Sequence, residues 1–168
     1  RILCTKPEFK LFEKKLVMAA LLHDVGHPPF SHVSERYLEE LTGKRHESFA
    51  EDMMINSDCA KIVKSEGQDI EEIVSIINGE HKLLGKLIDG SIDLDNLDNS
   101  LRYGLSGGVV EEKFYDPEHL AMAFDLHKGA LRLLGGYREE IEKWDLCRQR
   151  VYDFVYSNSS SEWILIGG

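Results

Sequence analysis

Cysteine is scarce and scattered in this chain: Cys4, Cys59 and Cys147 are the only three, and no two of them stand in a CxxC spacing. That pattern excludes a zinc ribbon or a disulfide framework and points to a reducing compartment, the cytoplasm. No apolar stretch approaches the roughly 20 residues needed to cross a bilayer. The opening segment is charged and helix-like, unlike a secretory leader. Runs of lysine and arginine are also missing, and the net charge is −10, so the surface repels nucleic-acid backbones. Strict alternation of apolar and polar residues, the mark of a half-buried strand, is absent apart from a short run at Trp163–Ile166. No internal repeat is visible.

Helical periodicity is what remains. At 168 residues with 42% hydrophobic residues, the chain is sized for one domain, residues 1–168, with a proper core. Between Phe9 and His23, apolar Leu11, Phe12, Leu16, Ala19, Ala20 and Leu22 fall on one helical face. Gly26 and Pro28-Pro29 end that pattern. Ser31 is placed to cap a helix running to Leu41, with Gly43 as its stop. A third helix is expected from His46 through Phe49, Met53 and Met54, and others over Asp58–Lys64, Ile70–Ile77 and Ile92–Tyr103. Pro117–Leu134 and Tyr137–Tyr156 also carry helical spacing, with Trp144 and Tyr137 as packing residues. The expected fold is an all-α bundle.

One segment is dense in chemistry. Residues 23–35 read His-Asp-Val-Gly-His-Pro-Pro-Phe-Ser-His-Val-Ser-Glu. Imidazole and carboxylate are the natural ligands of a divalent metal. Neighbouring residues point about 100° apart on a helix, but at a helix end beside a turn both His23 and Asp24 can reach one ion. Gly26 and the two prolines then set a sharp exit that returns His27 and His32 toward the same place. A lone His-Asp pair is more often a hydrogen-bonded core pair; three histidines and two carboxylates in so short a run are not. Farther on, Asp93, Asp95 and Asp98 stand near a helix start, where the dipole favours carboxylates in any case. Their spacing lacks the central Gly and distal Glu of a calcium-binding EF-hand loop.

The run Ala-Ala-Leu-Leu-His-Asp-Val-Gly-His-Pro-Pro-Phe-Ser-His resembles the signature of the HD superfamily of metal-dependent phosphohydrolases, and within it the deoxynucleoside triphosphate triphosphohydrolase branch that includes bacterial dGTPases. Gly26-His27, Phe30, Ser31-His32 and Glu35 match the pattern after the His-Asp pair. His46-Glu47 matches the branch's His-Glu pair, and Ile92 to Asp98 with Arg102 matches its Ile-Asp-x-Asp-x-x-Asp segment. The likeness spans about residues 15 to 105. It implies an HD-domain helical bundle with metal ligands His23, Asp24 and Asp95, and with His27 and His46 near the reacting phosphate. It further implies that Glu35 orients a catalytic histidine, and that His32, Asn96, Asn99 and Arg102 face the substrate. The cofactor it implies is a divalent ion: Mn, Fe, Ni, Mg, Co or Zn. The family's remaining ligand, a histidine in an Arg-x-x-His segment before the His-Asp pair, has no counterpart, since His23 is the first histidine here; it is expected upstream of Arg1. The branch often carries a basic residue where Asn96 stands, Tyr where Asn99 stands and Asp where Tyr103 stands.

The activity implied is hydrolysis of deoxynucleoside triphosphates to nucleoside and triphosphate, by a cytoplasmic, self-associating enzyme with no membrane or nucleic-acid partner. Two alternatives stand beside it. One is an HD phosphohydrolase of nucleoside monophosphates or phosphodiesters; the other is a non-catalytic, nucleotide-binding regulatory domain. His81, His119 and His127 match no motif and read as ordinary surface or core residues. Lys14-Lys15 and the Arg148–Arg150 pair read as solvated.

Overall fold

The computed structural model describes residues 1–27, 32–44, 46–112 and 114–157. Its α-helices, in chain order, are α1 (Pro7–Lys10), α2 (Glu13–Leu22), α3 (His32–Thr42), α4 (His46–Ile55), α5 (Asp58–Ser65), α6 (Ile70–Ile77), α7 (Leu94–Ser106), α8 (Pro117–Ala121) and α9 (Arg138–Ser157). One antiparallel hairpin, β1 (Phe124–His127) with β2 (Ala130–Leu133), is the only sheet among the described residues. The all-α expectation holds. The residues group into two compact units, one formed by residues 12–90 and the other by 1–11 with 91–157.

In the unit of residues 12–90, caps set the helix starts. Ser57 accepts the Cys59 amide at 3.2 Å to open α5. Asp69 accepts the Glu71 amide at 3.1 Å to open α6, whose first turn carries Glu71 and Glu72 at the positive end of the dipole. Gly43, with φ +68°, ends α3 as its sequence position foretells. Helix α6 packs on α2, and Leu16, Ala19, Met54, Ile73, Ile76, Leu84 and Leu87 form the buried core. The single face read between Phe9 and His23 is not one helix. The end of α1 and then α2 share it, and Leu11 lies 89% exposed at the break. The cap expected at Ser31 and the strand expected at Trp163–Ile166 fall outside the described residues.

In the other unit, α7 packs on α9. Their approach is set at Gly104, where an added methyl would lie 2.7 Å from Val110 Cγ2 and 3.1 Å from Cys147 Sγ. Trp144 is buried and donates through Nε1 to the Asn96 carbonyl at 3.2 Å, so its role is packing, as its spacing indicates. Tyr115 donates to the Leu97 carbonyl at 2.6 Å, and burial pushes its phenol well above the usual tyrosine range. Lys6 ties the chain start to the hairpin by donating to the Phe124 carbonyl at 2.5 Å.

The helical reading of Pro117–Leu134 is corrected. The helix α8 stops after Ala121 and the hairpin follows, with Phe124 paired to Leu133 and His127 to Ala130. Lys128 and Gly129 both hold positive φ, 51° and 74°, the two-residue turn whose twist matches a hairpin. Each strand is four residues long, too short to show a period of two. Arg148 is only partly solvated: its guanidinium lies 5.7 and 5.2 Å from the ring centroids of Trp144 and Tyr152.

Candidate active site

Helix α2 ends at Leu22, and the residues after it turn tightly: the Val25 amide donates to the Leu22 carbonyl and the His27 amide to the Asp24 carbonyl, both at 3.1 Å. The turn places His23, Asp24 and His27 together. His23 Nδ1 lies 2.9 Å from the Ala20 carbonyl. A carbonyl only accepts, so Nδ1 carries the proton and, in the neutral ring, Nε2 presents its lone pair. That Nε2 faces Asp24 Oδ1 at 3.3 Å, and His27 Nε2 faces the same oxygen at 3.4 Å. Two acceptors that face one another call for a proton or a cation between them. The end of α2 favours a cation too, because the carbonyl end of the helix dipole is negative. Asp24 sits against that dipole, an arrangement that costs stability. The imidazole rings are 24% and 17% exposed for His23 and His27, whereas the Asp24 carboxylate is 65% exposed.

These residues form part of the wall of a cavity of about 390 Å³. Ala50, Ile77 and Ile88 supply its apolar surface; Asn78, Glu80 and Asp89 supply further polar groups. No lysine or arginine is among its described lining residues. Three carboxylates and no such cation make the cavity one that attracts positive charge. His23 and Asp24 have the donor chemistry for a divalent metal. Among the described residues, however, no three His, Cys, Asp or Glu side chains form a group able to hold one. The fit is thus that of two donors, not of a complete site.

Of the other residues implicated by the sequence, Glu35 stands half-buried in the first turn of α3. The His32 and His46 side chains lie outside the described residues. In the second unit, Asp95, Asn99 and Arg102 share one face of α7. Asn99 donates to Asp95 Oδ2 at 2.6 Å, and Arg102 donates both to Asn99 Oδ1 and, at 2.7 Å, to Asp98 Oδ2. Asn96 instead turns to Asp93, which accepts its backbone and side-chain N–H groups at 2.7 Å each. Asp93, 3% exposed, is the N-cap of α7.

A model of the HD domain matches residues 1–105. The chain belongs to the HD-domain family. Among proteins similar to this HD chain, an uncharacterized protein of Methanocaldococcus jannaschii, MJ1154, is 38% identical over 83% of the chain and 29% of its own length. A deoxynucleoside triphosphate triphosphohydrolase SAMHD1 homolog of Dictyostelium discoideum is 34% identical over 49% of the chain and 17% of its own length. The crystal structure of a phosphohydrolase from Bacteroides thetaiotaomicron superposes with a TM-score of 0.69 at 26% identity, over 89% of the chain and 36% of that protein. The HD chain therefore spans well under half the length of each of these proteins. Among its described residues, no helix is long and apolar enough to cross a membrane.

Asn78, Glu80 and Asp89 carry no motif, and sequence reasoning missed them. The one local signal is Gly79, which holds φ +72° and leaves no room for a Cβ beside the Asp89 carboxylate. Also missed was a polar chain that links α2 and α6 to the segment after α6. Lys15 of α2 pairs with Glu72 of α6 at 2.5 Å, and His81 Nε2 faces the same carboxylate oxygen at 3.4 Å. Lys15 is therefore not simply solvated. Its hydrogen bond holds the Glu72 carboxyl below the usual glutamate range, against the opposing effect of burial. A depressed carboxyl contributes stability above its unfolded pKa and loses it as pH falls through the folded value. Glu72→Gln should therefore cost about 0.5–1 kcal/mol at neutral pH, discounted for a pair this exposed. The difference in thermal midpoint between Glu72→Gln and the native chain should shrink as the pH of the melts is lowered through the Glu72 folded pKa, which lies below the usual glutamate value. A constant difference across that range would assign it to packing instead.

Proposed function

We propose that this chain carries the hydrolytic centre of a metal-dependent phosphohydrolase whose substrates are deoxynucleoside triphosphates. The observation that carries the reading is the His23 tautomer: Nδ1 is committed to the Ala20 carbonyl, which directs the Nε2 lone pair at Asp24 Oδ1, 3.3 Å away. A ligating histidine is oriented in just this way, by a hydrogen bond from its other nitrogen. Membership of the HD family, likeness to a phosphohydrolase of Bacteroides and likeness to a triphosphohydrolase homolog of Dictyostelium support the class and the substrate.

In this reading His23 and Asp24 are metal ligands, and the resemblance adds Asp95. Held by these residues, a divalent ion would supply Lewis-acid chemistry toward water and a phosphoryl oxygen. The chain's own residues do the rest. His27, next to the Asp24 carboxylate, or His46 gives a proton to the departing 5′ oxygen. Glu35 orients the donor, and His32, Asn96, Asn99 and Arg102 bind substrate. Water attacks the α-phosphorus, the bond from that phosphorus to the 5′ oxygen breaks, and nucleoside and triphosphate leave. An acidic cavity with no lysine or arginine among its described lining residues suits a substrate that arrives with its own cations.

The test is a product screen. The full-length protein is loaded in turn with Mn, Fe, Ni, Mg, Co and Zn and offered deoxynucleoside triphosphates, ribonucleoside triphosphates and monophosphates. Nucleoside and inorganic triphosphate from the deoxy substrates are expected. Orthophosphate release, or turnover of monophosphates alone, would refute the substrate assignment; no turnover and no nucleotide binding would refute the reading as a whole.

A further inference from the structure

After α6 ends at Asn78, the segment of residues 78–89 holds no α-helix, only a 3-10 turn over Gly85–Leu87. Yet it delivers Asn78, Glu80 and Asp89 to the cavity. Side chains must therefore help to set its shape, and one does so at both of its ring nitrogens. His81 Nδ1 accepts the backbone N–H groups of Leu83 at 3.3 Å and Leu84 at 3.2 Å. Both donors are amides, so Nδ1 is the bare nitrogen and Nε2 carries the hydrogen. That Nε2 faces Glu72 Oε1 at 3.4 Å, and Glu72 binds Lys15.

Lys15 belongs to α2, the helix whose end presents His23 and Asp24. One polar chain, Lys15–Glu72–His81, thus joins the helix behind one wall of the cavity to the segment that makes the other. Lys15 and His81 are each 19% exposed, sheltered enough for the geometry to be specific. We propose that His81 is a positioning residue for this cavity: through its two amide bonds and Glu72 it fixes Asn78, Glu80 and Asp89 relative to His23, Asp24 and His27. It is not required for the unit to fold, because Leu84 and Leu87, both fully buried, anchor the segment independently. The functional consequence rests on the phosphohydrolase reading; the positional one does not.

Three variants and two readouts test it. His81→Leu removes both contacts. His81→Asn keeps an oxygen that can accept the two amides but is too short for Glu72. Glu72→Gln keeps an acceptor for His81 and removes the charge. Hydrogen exchange at the Leu83 and Leu84 amides should quicken about tenfold in His81→Leu, the size of one or two lost hydrogen bonds. It should stay within about twofold of the native rate in His81→Asn and Glu72→Gln. With the substrate identified by the product screen, His81→Leu should raise KM about tenfold and leave kcat within about threefold, a loss of binding without loss of chemistry. His81→Asn should recover most of that KM. Unchanged exchange in His81→Leu would overturn the proposal. So would a fall in kcat at constant KM, or losses in both that simply follow a lowered thermal midpoint. A chain that turns over nothing would sink the phosphohydrolase reading, while the exchange rates would still decide whether His81 positions the segment.

Discussion

Replacing Asp24 by Asn should lower kcat/KM about a thousandfold or more, while moving the thermal midpoint by no more than about 2 °C. The two halves of this expectation come from one geometry. Asp24 Oδ1 is the point on which both imidazole Nε2 atoms converge, at 3.3 and 3.4 Å. An amide there keeps the shape but removes the negative charge and half of the acceptor capacity. Binding of a divalent ion and any chemistry that depends on it should fail together. The carboxylate is nonetheless 65% exposed and sits at the unfavourable end of a helix dipole, so the fold has little to lose. Steady-state kinetics, titration of Mn by calorimetry and a thermal melt separate the cases. Full activity in Asp24→Asn would remove Asp24 from the mechanism. Loss of activity with a collapsed melt would assign it to structure.

Gly85→Ala should cost about 3 kcal/mol, a fall of roughly 6–12 °C in thermal midpoint for a chain of this size. A methyl at position 85 would lie 2.5 Å from the Gly79 carbonyl carbon and oxygen. These are backbone atoms and cannot swing aside as a side-chain tip would. Gly79 cannot absorb the displacement either, since it holds φ +72° and itself lies against the Asp89 carboxylate. The two glycines therefore lock the segment that carries Asn78, Glu80 and Asp89. Thermal melts of Gly85→Ala beside Gly135→Ala provide the control: neither glycine holds a positive φ, and Gly135 meets nothing within 4 Å. Equal losses in the two would show that replacing any turn glycine produces the effect, not the close approach at Gly85.

Much of this molecule was legible before any coordinates. The period of 3.6 residues gave the helices, and the correspondence is close where a cap and a stop bracket the period: α6 covers Ile70–Ile77 as read, between Asp69 and Asn78. The His23–Glu35 run and its resemblance pointed to the family, and the family model agrees. The reading failed where local pattern is too short to register. The hairpin after α8 has four-residue strands closed by Lys128-Gly129, so its pairing depends on a turn that the residue types do not announce. Between Phe9 and His23, apolar spacing concealed a break that leaves Leu11 in solvent.

By itself, then, the sequence determined the helical class, the family and the residues with metal-ligand chemistry, because each of these is written in short-range spacing. Tertiary structure alone decided which nitrogen of His23 points at Asp24, that Asn78, Glu80 and Asp89 share a cavity with them, and that His81 reaches Glu72. The His23 orientation comes from the turn after α2; the shared cavity and the His81–Glu72 contact go with α6 packing against α2 and the close approach of Gly85 to Gly79. Packing of that kind joins residues some sixty positions apart, such as Lys15 and Glu72, 57 apart, and no local periodicity records it.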